Sequence, residues 1–206
     1  MSRKVAAVVV IGLAVSLGGC VSLFPKTKPV QLYSFNAAVA AAASASKPAV
    51  SVLRGPTVFT RTAASDRILT RNGAETAYIA EARWAAPAQI MFDEALSAAF
   101  DNSQVRLAIR GEPAPTDAVL RLEVRTFEAR YTNGADTAPT AIVEARATLT
   151  SLDSRGLLAT RIFKGEKAAT DNRTGPIVEA YDGAVGQVLE QVVAWTAETV
   201  KPKGAP

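Results

Sequence analysis

A chain of 206 residues, 49% hydrophobic and 6% aromatic, has room for one alanine- and valine-rich domain with a sizeable core and gives little reason to expect a second. It contains no histidine, which excludes Ser-His-Asp and Cys-His catalysis as well as imidazole metal sites. The formal charge of +4 becomes +2 once Arg3 and Lys4 leave with the N-terminal segment described next, and no basic stripe marks a nucleic-acid surface.

Arg3 and Lys4 precede an uncharged, predominantly apolar run from Val5 to Leu17. A bilayer span needs about 20 residues, so this run is too short and reads as a bacterial secretory signal. Its ending, Leu17-Gly18-Gly19-Cys20, resembles the lipobox, in which the cysteine is acylated and the chain is cut before it. Residues 1–19 are therefore expected to be a lipoprotein signal peptide, with Cys20 carrying the acyl chains, palmitate among them. Each buried methylene contributes about 0.8 kcal/mol, so several chains make a lasting anchor. Cys20 is the only cysteine, and no disulfide can form within the chain.

Residues 20–29 read as a tether with two prolines and two lysines, 30–200 as the domain and 201–206 as a tail. Gln31 to Phe35 is a candidate strand. The alanine-rich stretch from Ala37 to Pro48 lacks large side chains to dock it and reads as a surface connection. Ala49 to Leu53 is a short apolar strand. Arg67–Arg71 and Ala77–Ala80 flank Asn72-Gly73 as a hairpin, with a loop longer than two residues. Pro87 occupies an N1 position, and behind it Ala88, Met91, Phe92, Ala95, Leu96, Ala99 and Phe100 mark one face of a helix.

Val105 to Ile109 is a further strand. Asp117–Tyr131 begins with apolar–polar alternation and Thr140–Leu152 continues it; with Leu157–Ala168 they make three strands joined by short connections, as in an antiparallel meander with one wet face. From Pro176 to Val200, Ile177, Tyr181, Ala184, Val185, Val188, Leu189, Val192 and Trp195 form a helical apolar stripe. The expected fold is α+β: a single domain with an antiparallel β-sheet and two amphipathic helices packed on one face.

Convergent chemistry is scarce. Asp93 and Glu94 are adjacent on a helix and point apart. The one Ser-x-x-Lys, Ser44 to Lys47, lies in the alanine-rich connection without an oxyanion context. Gly183 and Gly186 sit inside the last helix and suggest close helix packing. Asn172-Arg173-Thr174 is a chance sequon. No catalytic residue, metal ligand or cofactor is expected.

Arg67-Ile68-Leu69, the hairpin through Tyr78, and Ala82-Arg83-Trp84-Ala85-Ala86-Pro87 leading into the helix with Leu96 and Phe100 resemble the ABC-type transport auxiliary lipoprotein family, of the paraquat-inducible protein C type. Tyr33 fits that family's early tyrosine strand, and the strand through Phe127-Glu128 and the last helix fall in the expected order. Two departures bear on the subfamily: Tyr78 lacks a second aromatic beside it, and Tyr33-Ser34-Phe35 stands where Tyr-x-Leu is usual.

The resemblance implies a non-enzymatic lipoprotein on the periplasmic face of the outer membrane. It would serve as the docking component of an ABC-type lipid transporter with a mammalian-cell-entry (MCE) domain subunit, permease and ATPase. Phospholipid and further copies of the chain are additional partners in this reading. Val21-Ser22 follows Cys20 in place of the aspartate that favours inner-membrane retention, and that retention stays the alternative. Tyr33, Arg67, Tyr78, Arg83, Trp84 and Pro87 are the motif residues and candidate contacts. Arg83 and Trp84 admit two readings, a partner contact or a Trp84 packed beneath the helix with Arg83 solvated, and the second is preferred. Trp195 is expected in the core or an interface, and Tyr78 and Tyr131 half-buried in the sheet. The competing functional readings are an assembly or stability factor for an outer-membrane β-barrel and a periplasmic hydrolase.

Overall fold

The computed structural model describes residues 29–37, 50–113 and 115–200. The signal segment, Cys20, most of the tether, the alanine-rich connection from residue 38, with its Ser44 and Lys47, and the tail lie outside them. The elements are β1 (Gln31–Tyr33), β2 (Val50–Phe59), β3 (Arg67–Asn72), β4 (Glu75–Trp84), α1 (Ala88–Asp101), β5 (Val105–Ala108), β6 (Ala118–Tyr131), β7 (Thr140–Ser151), β8 (Leu157–Ala168) and α2 (Thr174–Thr199).

The long strand β6 is the spine of one eight-stranded sheet. Along one side it pairs antiparallel with β7, which pairs antiparallel with β8. Its other side is shared. The first half runs parallel to β2, from Val52↔Ala118 to Phe59↔Val124, and β2 carries β5 in parallel. The second half runs parallel to β3, from Thr70↔Ala129 to Asn72↔Tyr131. The hairpin partner β4 then carries β1 in parallel at the edge. A register shift between Val124 and Thr126 lies between the two halves.

The single α+β domain with two helices follows the periodicity, but the sheet is mixed where alternation alone pointed to an antiparallel one. Alternation records which face of a strand is buried, not the direction of its neighbour. The return to β5 passes through the β3–β4 hairpin and α1, a connection long enough to close a parallel pair. Two local expectations also change. Asn72 pairs with Glu75, so the hairpin loop is only Gly73-Ala74, and Gly73 supplies the positive φ of +58°. Pro87 is the N-cap of α1, one position before N1, and its carbonyl accepts from Ile90 and Met91.

Both helices cover the same sheet face, since their apolar stripes and the inward strand positions form one buried cluster. Val185, Val188, Leu189 and Val192 are fully enclosed, each contributing about 1.5–3 kcal/mol. On β7 the inward set is Ala141, Val143, Ala145, Ala147 and Leu149, all buried. These small side chains let α2 lie close. The closest approach is at Gly165 of β8, where an added Cβ would fall 2.1 Å from the Ala184 carbonyl oxygen. Close packing therefore centres on a strand glycine rather than on Gly183 or Gly186, the second of which faces open space.

Candidate functional site

The motif residues converge where β1, β4 and the start of α1 meet. Register fails between Arg67↔Arg83 and Leu69↔Tyr78, so β4 carries extra residues opposite Ile68. Glu81 lies in that bulge at φ +57°, a conformation that side-chain-bearing residues occupy only when the surroundings enforce it. The bulge ends one pairing and begins another: Ala82, Arg83 and Trp84 lie beside Gln31, Leu32 and Tyr33. The Trp84 amide donates to the Asp66 carbonyl (2.7 Å), and the Ala85 amide donates to the Tyr33 carbonyl (2.7 Å). The Ala88 amide, at the start of α1, donates to the Ser65 carbonyl at 3.0 Å.

Trp84 turns inward and is only 2% exposed. Its ring meets Phe35 edge-on at 5.2 Å and Tyr181 at 5.3 Å, with Phe127 at 6.3 Å. Such aromatic pairs add about 0.5–1.5 kcal/mol each beyond area burial. Trp84 is thus a core residue whose ring meets Tyr181 of α2, and Pro87 stands at the N-cap of α1. Trp195, against Phe163 at 5.5 Å, is likewise part of the core.

Arg67, Tyr78 and Arg83 face outward. The Arg67 guanidinium lies over the Tyr78 ring at 3.9 Å, and the Tyr78 hydroxyl donates to the Thr62 carbonyl (3.1 Å). Arg83 pairs with Asp66 at 2.8 Å with both side chains well exposed, a weakly stabilising arrangement. Beside them the edge strand β1 exposes Leu32 by 64%, and the Tyr33 hydroxyl donates to Gln31 Oε1 (2.6 Å). The patch is built partly on β1, the described strand nearest in sequence to the N-terminal segment.

On the opposite side of β6 the edge strand is β8, and sequence reasoning assigned it no role. Around Lys164 and Glu166 its outer backbone groups are covered: the Glu166 amide donates to Gln187 Oε1 (2.9 Å), and Gln191 Nε2 donates to the Lys164 carbonyl (3.2 Å). The half from Leu157 to Ile162 has no such cover among the described residues. There Leu157, Leu158 and Ile162 are 66%, 46% and 53% exposed. An uncovered apolar half-edge is suited to accepting another strand. The readable signal was three large apolar residues in a strand with a wet face.

Asp93 is drawn to Arg54 at 2.5 Å while Glu94 faces solvent, so the two carboxylates do not converge. Arg125 beside Glu123 holds that carboxyl below its usual range. Among the described residues, no group of three acidic, cysteine or histidine side chains is placed to hold a metal, and no helix is long and apolar enough to cross a membrane.

A family model described as the ABC-type transport auxiliary lipoprotein component matches residues 33–193. Among solved structures, the fold is similar to that of protein XCC0632 from Xanthomonas campestris, with 26% identity and a TM-score of 0.71 over 82% of this chain and 96% of that one. A second crystal structure, of an uncharacterized protein, shares the fold at 12% identity and a TM-score of 0.63, covering 82% of this chain and 99% of the other. No curated protein sequence matches. The match runs from Tyr33, the last residue of β1, into the second half of α2, and on it the chain belongs to the family of ABC-type transport auxiliary lipoprotein components.

Proposed function

We propose that this chain is a lipid-anchored subunit on the periplasmic face of the outer membrane. It docks an ABC-type lipid transporter through that system's MCE-domain protein and performs no catalysis of its own. The observation that carries the reading is the family match over residues 33–193, set behind the lipobox-like Leu17–Cys20. Val21-Ser22 after Cys20 supports the outer membrane over inner-membrane retention.

The mechanism is tethering. Acylated Cys20 fixes the domain to a surface, residues 20–29 set its reach, and confinement raises the effective concentration for a partner. The partner engages the uncovered half-edge of β8, where Leu157, Leu158 and Ile162 offer apolar contact beside unpaired strand backbone. A further copy of the chain is the other protein that such an edge would accept.

A photo-crosslinking residue at Ile162, with Glu190 on the exposed side of α2 as control, tests this in cells. The expected product from Ile162 contains an MCE-domain protein, with none from Glu190. A product containing a single outer-membrane barrel and no transporter subunit would favour the assembly-factor reading instead.

A further inference from the structure

On the sheet face away from the helices, Glu128 of β6 is only 4% exposed. Its carboxylate accepts from Arg71 Nε at 3.0 Å on one oxygen, and from Arg130 Nε at 2.9 Å and Nη2 at 2.6 Å on the other. Arg71 and Arg130 are register partners on the parallel strands β3 and β6, so two guanidinium groups are held side by side. One carboxylate carries a single negative charge and the two arginines carry two positive ones. Neutralising Glu128 needs one arginine, and the second leaves a net positive charge at a fixed place.

That charge borders an open surface recess of about 570 Å³ lined by Arg71, Asn72, Gly73, Arg130, Tyr131 and Thr132. The two arginine side chains are 42% and 39% exposed, and among the described residues their remaining guanidinium N–H groups meet no protein acceptor. The Tyr131 hydroxyl is engaged by Asn172 Oδ1 at 2.8 Å, which fixes the wall on that side. Guanidinium forks match the spacing of two oxygens on a tetrahedral anion, and their being held in advance by Glu128 lowers the ordering cost of binding.

We infer that Arg71 and Arg130, clamped by Glu128, form a binding site for a terminal phosphate group. The ligand is either a phosphomonoester lipid headgroup or a soluble phosphate. The site rests on its own geometry and stands whether or not the transport reading does.

The test uses the full-length acylated protein in a non-ionic detergent, titrated calorimetrically with inorganic phosphate, dihexanoyl phosphatidic acid and dihexanoyl phosphatidylcholine. Phosphate and phosphatidic acid are expected to bind, more weakly as salt rises. Arg71→Gln should weaken both by about tenfold or more, as loss of one charge-assisted fork implies. Arg121→Gln, the same charge change elsewhere on that face, should leave them within about twofold, since exposed charges at a distance are screened. Phosphatidic acid well above phosphate in affinity identifies a lipid headgroup, and equal affinities identify a soluble phosphate; both support the site. Phosphatidylcholine binding as tightly as phosphatidic acid, absence of phosphate and phosphatidic acid binding, or binding indifferent to Arg71→Gln overturns it. Should Arg71→Gln fail to fold, the Nε–Hε resonances of Arg71 and Arg130 in the unaltered protein decide the matter. Their displacement by phosphate supports the site, and unmoved resonances overturn it.

Discussion

The hydroxyl of Tyr181, fully enclosed on α2, donates to the carbonyl oxygen of Leu69 on β3 at 2.5 Å. The bond ties the last helix to a strand 112 positions earlier, and the same ring packs against Trp84 and Phe127. Tyr181→Phe keeps the ring and leaves a buried carbonyl without its donor. It should lower unfolding stability by about 1–3 kcal/mol, read from the urea midpoint with an unchanged m-value.

The same residue makes an alkaline prediction. Burial, and after it the charge of Glu128, push the Tyr181 hydroxyl well above its usual value of 10.0. A raised folded-state value means the contribution is present in full below about pH 10 and is lost as pH climbs above it, because the unfolded chain releases a proton that the folded chain keeps. Stability curves of the unaltered protein and Tyr181→Phe should converge between pH 10 and 11.5, roughly the range in which an unfolded tyrosine ionises. Parallel curves throughout would place the phenol at its ordinary value.

Trp84 and Arg83 are neighbours in sequence with opposite expected behaviour. Trp84→Ala empties the centre of the aromatic cluster and should cost about 3–5 kcal/mol, visible in thermal unfolding. Arg83→Ala breaks an exposed ion pair and should cost less than about 1 kcal/mol. The melting temperature of Arg83→Ala should stay in place, and with the partner seated on β8 its co-purification should be unchanged as well.

Gly165→Ala places a methyl group against the backbone of α2 at Ala184, and neither element can yield without moving the other. A loss of about 2 kcal/mol or more is expected, with faster hydrogen exchange at the Glu166 amide as its link to Gln187 loosens. Gly186→Ala, which meets open space in a helix interior, should be neutral or stabilising by up to about 1 kcal/mol.

Period and punctuation made the elements legible. The stripe from Ile177 to Trp195 gave α2, the alternation through Leu120 and Val143 gave β6 and β7, and Asn72-Gly73 gave the hairpin. Pairing partners were not legible, because β2 and β3 reach β6 through long connections whose direction leaves no mark on alternation. β2 runs past the expected end at Leu53 to Phe59, across Gly55-Pro56. In the sheet this pair forms a bulge, with Gly55 required because a Cβ would meet the Leu120 carbonyl oxygen at 2.7 Å. Of the motif residues, the outward Arg83 could not be separated by sequence from the inward Trp84, since the bulge at Glu81 decides which way these two face relative to Tyr78. In the sequence Glu128 is one position of a long strand. Its clamp on Arg71 and Arg130 depends on the parallel register of β3 with β6, which only the fold supplies.

The most direct measurement of the central claim is a mild-detergent pull-down of the full-length protein beside Cys20→Ala, with mass spectrometry of the co-purifying proteins and lipids. The account predicts recovery of an MCE-domain protein with its permease and ATPase, lost or weakened when the anchor is removed. Recovery of one outer-membrane barrel without any transporter subunit, or the same partners in the same amounts from both proteins, would contradict it.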